Sequence, residues 1–335
     1  MGGESAVNPE EGVRRDAAAR ARLDWVDALK GIGIIAVVAG HVWTRGWMRD
    51  AIYAVHMPLF FLLSGYTARH VAWRMFLPAA IRSLWVPFFA FSALLLGADF
   101  LIEGLRSVRP IFATWEQGAA TILFATEKTR GPFTILWFIP CLFLARLVWN
   151  ALTAQGRRPD ALPMVLAMLL VFGLALLAGY RGQWSPLAVL AVPGAVLMIW
   201  VGALWRLWGQ PSRVVTLLFL ALSVAVLIWF PPVNMKLGDL GWPSLSLAGA
   251  AAVTVTLAGL VQRLPLVLVS GFAALGRATL VIMYVHVALI HYLRAYAPEV
   301  ILFLVGLLLS WVLDRLFRRF ALTRRLLLGE TRTSR

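Results

Sequence analysis

Four stretches of the chain run the thickness of a bilayer without one charged side chain: Ala161 to Gly179, Gln183 to Trp205, Val214 to Met235 and Ser244 to Val261. A helix needs about 20 apolar residues to cross roughly 30 Å of hydrocarbon, so each reads as a membrane-spanning helix. Shorter or interrupted runs complete the pattern: Ala28 to Trp47, Ala51 to Ala68, Leu84 to Ile102, Phe133 to Ala151, Thr279 to Tyr296 and Val300 to Arg315. The expectation is an all-α, polytopic membrane bundle of about ten transmembrane helices, with both termini on one side. Composition agrees: with 61% hydrophobic and 14% charged residues, the chain is too apolar to cover itself in water. The single cysteine, Cys141, excludes an intramolecular disulfide framework and a Cys-rich metal site, and no metal is expected.

A formal charge of +15 would point to nucleic acid in a soluble protein, but in a membrane chain it is a topology signal. With a cytoplasmic N-terminus, 22 of the 31 Lys and Arg fall on the inner side, including Arg14, Arg15, Arg20, Arg22, Arg69, Arg74, Arg82, Arg157, Arg158 and the run from Arg315 to Arg335. The positive-inside rule then places both termini in the cytoplasm, expects membrane lipids as partners and makes nucleic acid unnecessary. Tryptophans at the expected ends read as an interfacial belt, Trp43, Trp47, Trp229 and Trp242 outside and Trp25, Trp85, Trp149, Trp205 and Trp208 inside. The chain divides into a basic N-terminal tail (1–27), a transmembrane domain (28–317) and a basic C-terminal tail (318–335). The first apolar run lacks a small-residue cleavage site and itself carries Lys30 and His41, so it reads as an uncleaved helix. Gln155 to Asp160 and Pro231 to Pro243 read as loops, and the outer connection Glu103 to Pro132 as holding a short helix around Trp115 to Ala125.

Ionisable groups inside spans carry the functional reading, because each costs several kcal/mol in hydrocarbon, roughly 2.5 to 3.5 for Lys, Arg or Asp. Lys30 and His41 stand eleven residues apart, almost three whole turns, and so project from one face of the first helix, about 16 Å apart along its axis. On one reading both line an interior channel, with His41 a general base near neutral pH. On the other, Lys30 snorkels to the headgroups and His41 is a satisfied contact between helices. Asp27, one turn before Lys30, is placed to pair with it. His56 opens the second span, either as part of the same site from the outer side or bonded to a loop carbonyl. Pro58 falls early in that helix, and Ser64 and Gly65 permit close helix approach. His286 reads as an interior polar contact and His291 as interfacial.

The stretch Arg22-Leu-Asp-Trp-Val-Asp-Ala-Leu-Lys-Gly-Ile-Gly-Ile-Ile-Ala-Val-Val-Ala-Gly-His41, followed by His56-Met-Pro-Leu-Phe-Phe-Leu-Leu-Ser-Gly-Tyr66, resembles the opening of the acyltransferase-3 membrane proteins, and within them the fucose 4-O-acetylase-like branch. Leu136-Trp-Phe-Ile-Pro-Cys-Leu-Phe143 and Leu275-Gly-Arg-Ala-Thr-Leu-Val-Ile-Met-Tyr-Val-His286 continue the likeness over nearly the whole chain. The resemblance implies a ten-helix bacterial inner-membrane O-acetyltransferase, with cytoplasmic acetyl-CoA as donor and a hydroxyl of a surface or exported glycan, or its lipid-linked precursor, as acceptor. In the family a basic residue, usually arginine, and a histidine eleven positions later mark the site, and Lys30 and His41 match them. Lysine there is a departure that replaces a bidentate fork by a point charge. The resemblance also implies cytoplasmic arginines after the second span, for which Arg82 is the best match and Arg74 a looser one, while Arg277 is a further candidate for contact with coenzyme A. Each of these arginines also reads as a positive-inside anchor.

The implied reaction has His41 deprotonate the acceptor hydroxyl, which attacks the thioester, or carry the acetyl group itself as a transient acyl-histidine. A transporter or flippase of a glycan or small metabolite is the main alternative, since intramembrane histidines and cations also mark translocation paths. The halves of the chain show none of the paired, interrupted helices common in transporters.

Overall fold

The computed structural model describes residues 9–181, 184–229, 231 and 233–330, with side chains from residue 24 onward and not at residue 181. The outer parts of the two tails (1–8 and 331–335), Gln183 at the start of one expected span, and the side chains of Arg14, Arg15, Arg20 and Arg22 lie outside what is described. The fold is helical, and its nearest approach to a sheet among the described residues is one isolated bridge between Asn234 and Asp239.

The elements in order are α1 (Pro9–Val42), α2 (Trp47–Thr67), α3 (Trp73–Ala80), α4 (Val86–Leu105), α5 (Trp115–Phe124), α6 (Phe138–Leu152), α7 (Leu162–Arg181), α8 (Val192–Trp208), α9 (Arg213–Trp229), α10 (Pro243–Val261), α11 (Leu266–Arg277), α12 (Thr279–Leu293), α13 (Glu299–Leu304), α14 (Ser310–Phe317) and α15 (Ala321–Leu327). A π turn at Ile81–Trp85 joins α3 to α4 in one long span, and another at Val305–Leu309 joins α13 to α14. Among the described residues, seven helices are long and apolar enough to cross a membrane, eight if the bent pair α11 and α12 is one span. The apolar helix α9, at 17 residues, is shorter than these, and α2 carries Arg49 and Asp50 in its first turn and a half.

The helix α11 is not foreseen in the sequence reading. It packs along α1 where glycine removes the obstacle: a Cβ at Gly276 would stand 1.8 Å from the carbonyl oxygen of Asp27, and one at Gly31 would stand 2.0 Å from that of Phe272. Small residues at such crossings let backbones touch, which is how helices gain packing energy in lipid. The chain then bends by 70° into α12, and the Thr279 hydroxyl donates to the Gly276 carbonyl at 2.6 Å, taking up a backbone acceptor freed by the break.

Polar ties fasten the ends. At the end of the bundle that carries His41, the wholly buried Asp99 of α4 accepts from the Tyr292 hydroxyl of α12 and from the Ile111 amide, both at 2.8 Å. At the opposite end, which carries Asp24, Arg318 holds buried Asp314 at 2.7 Å and Glu330 at 2.7 Å, and the chain folds back as α15 with Leu327 and Leu328 buried. Residues 318–330, read as a basic tail, therefore dock on the bundle. The interfacial belt needs a similar correction: Trp149 and Trp205 are buried, and Trp25 meets Tyr66 and Trp205 edge-on at 5.2 and 5.7 Å, so these form an aromatic core. Trp47, Trp208, Trp229 and Trp242 are exposed, as a belt requires.

Candidate active site

The helix α1 stops at Val42, which places His41 in its last turn and not in mid-helix as the longer expected span had it. The Arg294 guanidinium donates to the carbonyls of His41 at 3.0 Å and Val42 at 3.2 Å, a cation at the negative end of a helix whose last carbonyls have no intrahelical partner. Beside it, the ring of His286 lies 5.2 Å from that of His41. His286 is wholly buried, and its Nδ1 stands 2.6 Å from the Ile282 carbonyl oxygen one turn back. His56 repeats the arrangement, with Nδ1 2.8 Å from the Ile52 carbonyl. A carbonyl only accepts, so in both rings Nδ1 carries the proton and Nε2 the lone pair. The Nε2 of His286 is buried without a hydrogen-bond partner among the described residues.

A cavity of about 250 Å³ opens at this end, lined by His41, Arg49, Tyr53, His56, Glu127 and Lys236 among others. Its wall is built by two connections. The Lys236 ammonium donates to the Thr129 carbonyl and lies 3.5 Å from the Thr134 hydroxyl, while the Ser185 amide donates to Glu127 Oε2 at 3.0 Å. Burial pushes the Lys236 ammonium down to about 8, against the upward pull of the Glu127 carboxylate. Arg49 pairs with Asp50 at 2.8 Å and covers the ring of Tyr53 at 4.1 Å, and that ring lies 4.8 Å from His56.

Arg49, Tyr53, Glu127, Lys236 and Arg294 are site residues the sequence reading missed. One signal was present for Lys236: it and Asp239 are the only charged residues between Arg213 and Arg263.

Lys30 lies outside this cavity, so the structure does not bring it and His41 into one described pocket. Its ammonium pairs with Asp27 at 3.1 Å, and both side chains are partly exposed. Ser64 borders the crossing of α2 and α8, where Cβ atoms at Gly65 and Gly202 would each stand 1.9 Å from a facing carbonyl oxygen. Arg74 and Arg82 are exposed, and Arg277 pairs with Asp24 at 3.6 Å.

A second pocket, of about 460 Å³, opens at the Asp24 end and gathers Arg69, His70, Arg157, Arg158 and Arg206 around Trp149 and Thr153. Arg206 donates to the Ala68 carbonyl at 3.1 Å, and Arg158 grips Asp160 with two bonds at 3.0 and 2.8 Å. Arg74, Arg82 and Arg277 do not line this pocket. Four guanidinium groups at one mouth suit a polyanion. Among the described residues no three His, Cys, Asp or Glu side chains converge as a metal-ligand set.

The family model for an acyltransferase domain, acyltransferase-3, matches residues 23–315, from the residue after Arg22 through α14 almost to its end. No curated protein and no solved structure matches the chain.

Proposed function

The chain belongs to the acyltransferase-3 family, and from that premise we propose that it is a membrane O-acetyltransferase, moving acetyl from cytoplasmic acetyl-CoA to a glycan hydroxyl presented at the opposite face. The observation that carries this reading is the placement of two different openings at opposite ends of α1, a basic one at the Asp24 end and a histidine-lined one at the His41 end. The cations Arg69, Arg157 and Arg206 suit the phosphates of coenzyme A, with Arg74, Arg82 and Arg277 as further anchors at the same membrane face. Lys30, held by Asp27, lies along α1 between the openings and orients the donor's thioester end.

In the reaction, the acceptor oxygen attacks the thioester carbonyl carbon as its proton passes to the imidazole of His41. The carbon–sulfur bond breaks, the coenzyme A thiolate takes up that proton, and an acetyl ester and free coenzyme A result. His286 is a positioning residue: its ring packs against that of His41, with centroids 5.2 Å apart, and holds that imidazole in place as the base. His56 offers a second lone pair to the acceptor from α2. Ser64 serves the close crossing of α2 and α8.

In the same reading α2 and α9 also cross, bringing the spans to ten, with both termini in the cytoplasm of a bacterial inner membrane. The test is ester-linked acetate on extracellular and lipid-linked glycans, compared between a deletion strain and the same strain carrying wild type or His41→Ala. Acetate lost on deletion and restored by wild type alone supports the reading. Acetate unchanged while glycan export falls replaces it with the transporter.

A further inference from the structure

Glu127 sits in the short turn Thr126–Lys128, on the wall of the cavity that holds His41. One carboxylate oxygen is accounted for, since Oε2 accepts from the Ser185 amide at 3.0 Å, but Oε1 is buried and has no hydrogen-bond partner among the described residues. The turn is fixed from both sides: the hydroxyl of wholly buried Thr126 donates to the Ser185 carbonyl and accepts from the Ala188 amide at 3.0 Å. A buried oxygen without a donor is costly and rare in a native fold, and a rigid one on a cavity wall is a place for a ligand hydroxyl.

Lys236 stands on the same cavity, in the turn Met235–Leu237. Its ammonium has three protons, and the Thr129 carbonyl and the Thr134 hydroxyl occupy two. Among the described residues, one donor is left for a ligand. Tyr53 and Trp137 line the same space, and its volume of about 250 Å³ is below the roughly 300 to 1,000 Å³ of pockets for drug-sized ligands, which suits one sugar ring and not a chain of them.

Resting on the acyltransfer reading above, we propose that Glu127 and Lys236 form the acceptor subsite and select a polyhydroxylated ring. Glu127 Oε1 accepts a hydrogen bond from a hydroxyl neighbouring the one that attacks, and Lys236 donates to a further ring oxygen. An acceptor with a lone hydroxyl leaves Oε1 unpaired inside the cavity, so the subsite rejects it.

The experiment uses the full chain in liposomes with acetyl-CoA, with methyl hexosides and their single-deoxy derivatives as acceptor probes. Glu127→Gln keeps the side chain's size and an oxygen for the Ser185 amide while turning a donor toward the cavity. Glu127→Gln and Lys236→Met are expected to raise the acceptor KM about tenfold or more and to change the acetyl-CoA KM by less than about twofold. The derivative lacking the hydroxyl bound by Glu127 is expected to lose nothing further in Glu127→Gln, a coupling that a merely structural role would not produce. An unchanged acceptor KM, or an equal loss on every derivative, overturns the subsite. Wild type that acetylates only simple alcohols overturns the subsite and spares acyl transfer. Wild type that consumes no acetyl-CoA with any acceptor overturns the acyltransfer reading itself, and the subsite with it.

Discussion

Burial lowers the titration of Lys236. Its ammonium is pushed down to about 8, and the groups that share its cavity are Glu127, Arg49 and the imidazoles of His41 and His56. Because the folded value lies below the unfolded one, the charged lysine costs stability below about pH 8, and that cost fades as pH rises toward the ordinary lysine range. For function the sign is opposite: above about pH 8 the cavity loses a donor cation. The acceptor KM is expected to rise through pH 8, and Lys236→Arg to stay flat, as read from steady-state profiles at about pH 6 to 9. A flat wild-type profile would sever Lys236 from acceptor binding. Lys30 calls for a different check, because its partner Asp27 accepts from any cation. Lys30→Ala is expected to lower kcat/KM for acetyl-CoA about tenfold and Lys30→Arg to stay within about threefold of wild type. Equal losses in both would show a strict need for lysine. His41, His56 and His286 were legible from sequence because an ionisable ring stands out in an apolar run. Glu127 was not, since a carboxylate in a polar connection is ordinary until folding carries that connection over the end of α1.

At the scale of elements, the contact of α1 with α11 decides how Lys30 is presented. Gly276 meets the backbone carbonyl of Asp27, a wall that cannot swing aside as a flexible side chain would. Gly276→Val is expected to cost about 1 to 3 kcal/mol and to lower the melting temperature in detergent. An unchanged melting temperature would mean that the two helices separate freely. With only 12 residues, α11 is too short to announce itself as a span, and its apolar residues looked like part of a connection. Three of the four charge-free runs, by contrast, were readable to within about three residues, because hydrocarbon thickness sets their length, whereas Val214 to Met235 corresponds to the shorter α9 (Arg213–Trp229). The His41 end of α1 was harder, since Trp43 and Trp47 extend the apolar character beyond the last helical residue. Topology is checked at the same scale. Reporter fusions at residues 297 and 335 are expected to report opposite sides, because the span Glu299–Phe317 lies between them. Same-side signals would contradict that crossing.

Across the whole molecule, the two openings lie at opposite ends of the bundle. In the proposed reaction the donor enters the basic mouth at the Asp24 end, and the acceptor enters the cavity at the other end, where α1 contributes His41 to the lining. Class and order of spans follow from hydropathy, and sequence alone placed His41 and Lys30 on one helix face. Which cations converge was not readable that way: Arg69, Arg157 and Arg206 come from three separate connections or helix ends, and only packing of α2, α6 and α8 brings them together. Acyl transfer through His41 is tested on the full chain purified into liposomes. Release of coenzyme A thiol and formation of sugar acetyl ester are followed together for wild type and His41→Ala. Matched thiol and ester are expected from wild type, and less than about a tenth of that from His41→Ala at an unchanged melting temperature. Ester formation by His41→Ala above about a tenth of wild type would contradict acyl transfer through His41.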